Sequence, residues 1–140
     1  MTFRGLTRAL VASALLVVGA ARADAALGGS FSCPQRETAG RVVCEVNLSL
    51  RAGESSLVWV DALVLKAPPF LRPLRSRVTV PVSRGGGDAL NLPVAFVAQE
   101  LGRAEVTVRV RAVACRRLDP APSGCRPLQA DFSTAIRVGP

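Results

Sequence analysis

Apolar and polar side chains alternate residue by residue over much of the chain after about residue 27, the period of a strand with one buried and one wet face. Arg41 to Arg51 is the clearest stretch. Val42, Cys44, Val46, Leu48 and Leu50 fall on one side, and Arg41, Glu45, Asn47, Ser49 and Arg51 on the other, with Val43 the single exception. In Arg103 to Ala114 the positions Ala104, Val106, Val108, Val110 and Ala112 oppose Arg103, Glu105, Thr107, Arg109 and Arg111. Leu128 to Val138 repeats the pattern, with Leu128, Ala130, Phe132, Thr134, Ile136 and Val138 on the inner side. Four less regular segments complete the set. Leu57 to Lys66 is apolar on both faces and interrupted by Asp61, which predicts a strand partly covered on both sides or a bulge at Asp61. Ser76 to Val82 and Ala89 to Ala98 carry Pro81 and Pro93, and a proline cannot donate to a ladder, so each hints at an edge. Gly28 to Cys33 is a short opening strand.

Turn-forming residues separate these runs: Glu37 to Gly40, Ala52 to Ser56, Arg84 to Asp88 and Glu100 to Gly102, with longer loops at Pro68 to Pro73 and Arg116 to Pro127. No segment beyond the N-terminal region shows sustained helical periodicity. About seven strands at this spacing predict an all-β, two-sheet antiparallel sandwich.

The N-terminal region follows a different rule. Arg4 and Arg8 precede an uncharged run from Ala9 to Ala21, followed by Ala21-Arg22-Ala23 with small residues where a signal peptidase reads. The run is shorter than the ~20 residues of a spanning helix. The expected organisation is a signal peptide over residues 1–23 and one β-sandwich domain over 24–140, with cleavage after Ala23 or Ala25 and no transmembrane anchor in the mature chain. The mature protein is then periplasmic or secreted. Loss of Arg4, Arg8 and Arg22 takes the net charge from +8 to +5.

All four cysteines, Cys33, Cys44, Cys115 and Cys125, follow the leader, and an even count in an exported chain implies two disulfides. The order Cys44, Trp59, Cys115 along the second, third and sixth strands resembles that of the immunoglobulin-like sandwich family, with Val113 where that family carries a tyrosine. The resemblance implies a Cys44–Cys115 bond. Parity argues otherwise, because Cys115 falls on the outward side with Arg109 and Arg111 unless a bulge intervenes. Local pairing, Cys33 with Cys44 and Cys115 with Cys125, is the simpler alternative. Loop closure gives about 3 kcal/mol for each short loop against about 4.5 kcal/mol for the long one. With local pairing Trp59 is expected to be core.

The chain has no histidine and no tyrosine, which excludes Ser-His-Asp and Cys-His catalysis and imidazole metal sites. No cofactor or metal is implied. Five phenylalanines and one tryptophan offer few stacking platforms for nucleic acid. Four groups carry candidate chemistry. Cys115 and Cys125 flank a polar loop near the C-terminus and loosely resemble the late redox hairpin in the N-terminal domain of transmembrane thiol-disulfide interchange proteins. That resemblance implies a redox pair whose thiol is activated by Arg116, Arg117 and Arg126. Asp61 is the one carboxylate within an apolar strand; its alternatives are a buried acid or base with a raised pKa, or a bulge or outward residue bonded to backbone. Arg109, Arg111, Arg116, Arg117 and Arg126 form a basic cluster suited to an acidic extracytoplasmic polymer or protein. Phe70 and Leu71, in a proline-stiffened stretch, would either meet a partner or cap the sandwich between its sheets. The expected function is a non-enzymatic binding or structural module, with thiol-disulfide exchange through Cys115 and Cys125 as the alternative.

Overall fold

The computed structural model describes residues 27–50, 55–82, 89–116 and 123–140. The expected signal peptide lies outside them, as do Arg84 and Arg117. Eight strands form two antiparallel sheets: β1 (Leu27–Ser32), β2 (Gly40–Leu50), β3 (Ser55–Lys66), β4 (Leu71–Pro73), β5 (Arg77–Pro81), β6 (Ala89–Ala98), β7 (Gly102–Arg116) and β8 (Ser123–Val138). One sheet has the order β1-β2-β6-β4 and the other β5-β3-β7-β8. This is an immunoglobulin-like sandwich, with β1, β2 and β6 in one layer and β3, β7 and β8 in the other.

The alternating residues supply the core. Val42, Cys44 and Val46 of β2 and Leu92, Val94 and Phe96 of β6 are shut off from solvent. They share one cluster with Val60 and Ala62 of β3, Val106, Val108 and Val110 of β7, and Ile136 and Val138 of β8. Each such side chain contributes about 1.5–3 kcal/mol relative to exposure. The inner faces of two sheets interdigitate in this way in any sandwich.

Two cross-links hold the periphery. Both bonds are the local ones, Cys33–Cys44 and Cys115–Cys125. The first clips the chain where it leaves β1. Just beyond it, Arg36 N–H donates to the Arg137 carbonyl (3.1 Å) and Gly139 N–H to the Arg36 carbonyl (2.7 Å), so the connection leans on β8 of the opposite sheet. The second bond sits at the far end of the β7–β8 hairpin. Cys115 has the outward parity that alternation gives it and lies at a register shift, between the pairs Ala114↔Arg126 and Arg116↔Ser123. It is buried, yet it does not belong to the central core cluster.

Several expectations are corrected. The stretch Arg116 to Pro127 is not all loop, because β7 runs to Arg116 and β8 starts at Ser123. Pro127 suggested a loop, but β8 is an edge strand, where a proline is tolerated. The stretch 68–73 contains the short strand β4. In β3 the irregularities fall between Leu57 and Trp59 and between Val64 and Lys66, not at Asp61. The extra residue Val58 reverses the parity after Leu57. Leu57 and Val60 therefore both enter the core, while Trp59 turns to the outer face and is only half-buried. Trp59 is not core. Of the two prolines that hint at an edge, Pro81 does lie on an edge strand, β5. Pro93 lies on β6 between two strands, but β4 reaches only the segment Phe96–Ala98.

At Gly29, β1 and β2 come unusually close. A Cβ there would stand 2.2 Å from the Asn47 carbonyl oxygen, a backbone atom that cannot move aside alone. Gly29→Ala is expected to lower stability by about 1–3 kcal/mol, read from urea unfolding monitored by circular dichroism. Gly28→Ala, whose nearest neighbour is the Ser49 hydroxyl at 3.3 Å, is expected to cost less.

Candidate functional site

The chemistry-bearing side chains gather on the outer face of the β5-β3-β7-β8 sheet. Its register aligns them in rows across the strands. One row is Trp59, Val113 and Pro127; the next is Thr79, Asp61, Arg111 and Gln129; then come Arg77, Leu63, Arg109 and Asp131; then Lys66, Thr107 and Ser133. Further along the β7–β8 ribbon Glu105 faces Ala135 and Arg103 faces Arg137.

Asp61 points away from the core yet has 0% exposure. Two arginines enclose it. Arg111 grips it in a fork, Nε to Oδ1 at 3.0 Å and Nη2 to Oδ2 at 2.6 Å. Arg77 reaches Oδ2 from the other side through Nε (2.6 Å) and Nη2 (2.5 Å). Arg111 also lies over the Trp59 ring, 5.9 Å from its centroid, in range of a cation–π contact. The hydrogen bonds from Arg111 hold the Asp61 carboxyl below its ordinary range; burial opposes this, and Arg77 adds to the lowering. Asp61 is thus an outward residue, as one expectation had it, but its partners are guanidinium groups and not backbone. The carboxyl is therefore held low by that pairing, where the reading as a buried acid or base expected it raised.

Arg109 makes a second fork, to Asp131 across the β7–β8 pair, with Nε to Oδ1 at 2.7 Å and Nη2 to Oδ2 at 2.8 Å. That fork lowers the Asp131 pKa and raises that of Arg109. Thr107 and Ser133 share a hydrogen bond of 2.8 Å in the following row. The basic cluster expected from sequence therefore divides. Arg109 and Arg111 share a face and are each committed to a carboxylate. Arg116 and Arg126 stand exposed at the disulfide end of the hairpin, and Arg117 lies outside the described residues. The register pair Arg103↔Arg137 went unmarked in the sequence. Neither has a carboxylate partner among the described residues, and directly opposed like charges destabilise a sheet. Both alternate outward in the sequence, but only the register of β7 against β8 brings them together.

No protein-family model matches the chain, and no curated protein does. Among solved structures the chain is similar to a part of native alpha-2-macroglobulin from Escherichia coli, in the structure spanning domain MG7 to the C-terminus. The identity is 12% and the TM-score 0.46; 83% of this chain is covered, and it spans 17% of that one. Likeness at this level carries nothing about activity.

Phe70 and Leu71 are not presented to a partner. Leu71 is 2% exposed and belongs to the core. Phe70 packs against that core, with its ring over Gly102, where a Cβ would come within 2.6 Å of ring carbons. This stretch caps the sandwich where the chain passes from one sheet to the other. In the second disulfide Cys115 is buried and Cys125 exposed. Among the described residues no cluster of acidic or cysteine side chains is arranged to ligate a metal.

The buried carboxylate makes the arginine arrangement testable. Replacing Arg77 and Arg111 together by alanine removes both charge-assisted pairs and opens Asp61 to water. The expected cost is about 1–3 kcal/mol in denaturant unfolding. Asp61→Ala is expected to cost no more, because both freed guanidinium groups reach solvent. The pH dependence follows from the lowered carboxyls. Their stabilisation is complete above the unfolded carboxylate range and is lost as pH falls through the depressed folded values. The melting temperature of the wild type is therefore expected to fall below about pH 4, and that of Asp61→Asn to fall less steeply.

Proposed function

We propose that the protein is an extracytoplasmic, non-enzymatic binding module that takes a linear acidic polymer along the outer face of the β5-β3-β7-β8 sheet. The observation that carries this reading is the cross-strand pair Arg103↔Arg137. Two opposed arginines cost stability when alone, and a bound anion turns that cost into an attraction. The committed pairs around them support a rigid platform. Arg109 with Asp131, and Arg111 and Arg77 with Asp61, hold their side chains in place beside the free pair. The two disulfides support an oxidising compartment, periplasmic or external. A flat sheet face suits a polymer better than a small molecule, which needs a concave site.

The test uses a sulfated polysaccharide and poly-aspartate as probes, with binding followed by isothermal calorimetry at several salt concentrations. The expected result is binding to the polysaccharide that weakens as salt rises and falls about fivefold in Arg103→Ser/Arg137→Ser. Arg116→Ser/Arg126→Ser, at the other end of the hairpin, is expected to change it by less. Preference for poly-aspartate would redirect the reading to an acidic protein. Binding indifferent to both double variants would remove the platform from the account.

Thiol-disulfide exchange through Cys115 and Cys125 is the rival function. The expected result is that both disulfides survive mild reductant in the native protein, scored by thiol titration; ready reduction of Cys115–Cys125 alone would favour the rival.

A further inference from the structure

Strand β6 has a neighbour along its whole length on one side only. β2 pairs with it from Ala89 to Ala98, whereas β4 on the other side stops at Phe96. One more bond, Leu74 N–H to the Ala95 carbonyl (2.9 Å), marks the point where the chain turns away. Beyond it the lane beside β6 is vacant among the described residues. Backbone groups alternate sides along a strand, so residues 93 and 91 face the same way as Ala95. Pro93 offers a carbonyl and no donor there; Asn91 offers both groups. Along this lateral edge the inward side chains Val78 and Val80 of β5 and Leu90 of β6 are only half-buried, while Leu92 and Val94 are closed off from solvent.

A groove of about 340 Å³ lies where the lane begins. Val43, Leu74, Val78, Pro93 and Ala95 are its apolar lining. Val43, the one break in the alternation of β2, is 36% exposed, and Leu74 is 47% exposed. Arg41 and Arg75 also line the groove, and no carboxylate does. Neither arginine has a carboxylate partner among the described residues. The nearest acidic residue in register, Glu45 opposite Pro93, receives a hydrogen bond from Asn91 Nδ2 at 3.4 Å.

We infer that this vacant lane is a docking site for an extended, carboxylate-bearing segment of a partner protein, added as a strand beside β6. The open backbone calls for a strand, since only a strand meets alternating donors and acceptors at this spacing. Its inward side chains meet the half-buried Val78, Val80 and Leu90, and its outward ones lie on the face of Val43, Pro93 and Ala95. Arg41 and Arg75 take a carboxylate, and their charge selects against basic segments. Pro93 restricts the pairing to the groups around it, which keeps the edge from accepting any strand at random. The site is on the opposite sheet from the cationic platform and does not depend on it.

The probe is an N-acetylated hexapeptide of alternating valine and glutamate, with a valine–lysine peptide as control, added to the disulfide-bonded protein and followed by amide exchange and chemical shifts in NMR. The acidic peptide is expected to slow exchange of the Asn91 amide about fivefold and to shift residues 91–95 and Val43, while the basic peptide does neither. Arg75→Glu, an exposed position, is expected to weaken the acidic peptide about tenfold with an unchanged dichroism spectrum. No response at millimolar peptide, or a response spread elsewhere, would overturn the inference. So would an Asn91 amide already protected in dilute monomer, which would mean that the chain fills its own lane. Protection that rises with protein concentration alone would also overturn it, by assigning the edge to a second copy.

Discussion

Every strand in this protein must send alternate side chains between two sheets, and the places where that alternation is broken decide what reaches the surface. The unbroken part is the core: Val42, Cys44 and Val46 face Val106, Val108 and Val110 through one contiguous apolar cluster. The breaks are few and local. An extra residue at Val58 turns Trp59 and Asp61 outward, and the pairing of β7 with β8 shifts at Cys115, which alternation already sets outside the central cluster. A slip of one residue exchanges the two faces of a strand. A single insertion in β3 therefore moves an indole and a carboxylate from one environment to the other.

The outer face that results is electrostatically particular. A carboxylate turned outward on a sheet would ordinarily be wet. Asp61 is not, because Arg77 and Arg111 close over it from the strands on either side. Burial of the charge is tolerable because both oxygens are bonded and two guanidinium groups share it. The cluster carries one surplus positive charge, and Arg109 with Asp131 beside it is neutral. Farther along the ribbon Arg103 and Arg137 stand opposed, with Glu105 two residues from Arg103 on the same face. Position in the register, more than the number of arginines, determines which of them is free to meet an anion.

Much of this was legible in the residues alone. Alternation located β2 and β7 nearly to their ends and β8 from Leu128 onward, and the parity of Cys115 pointed to the local disulfides. What escaped was whatever depends on register between strands far apart in sequence. The bulge at Val58 leaves no mark in a segment that is apolar on both faces, so Trp59 was expected inside. Leu71 reads equally well as an anchor for a partner or as a cap, and only its position beside β6 shows that it is a cap. Arg103 and Arg137 are separated by a long hairpin whose pairing a bulge had shifted, so their opposition was invisible. Arg109 and Arg111 stood out because they are close in sequence, and they turned out to be the ones already paired.

Trp59 is the one tryptophan in the chain, so its fluorescence reports directly on the break in β3. With the bulge at Val58 the indole is half-buried on the outer face beneath Arg111. Native protein should then show emission that acrylamide quenches appreciably, to an extent between that of an enclosed and a free indole, and Arg111→Ala should increase the quenching. A blue-shifted emission that acrylamide does not reach, unaffected by Arg111→Ala, would place Trp59 in the core and contradict the arrangement of the entire face.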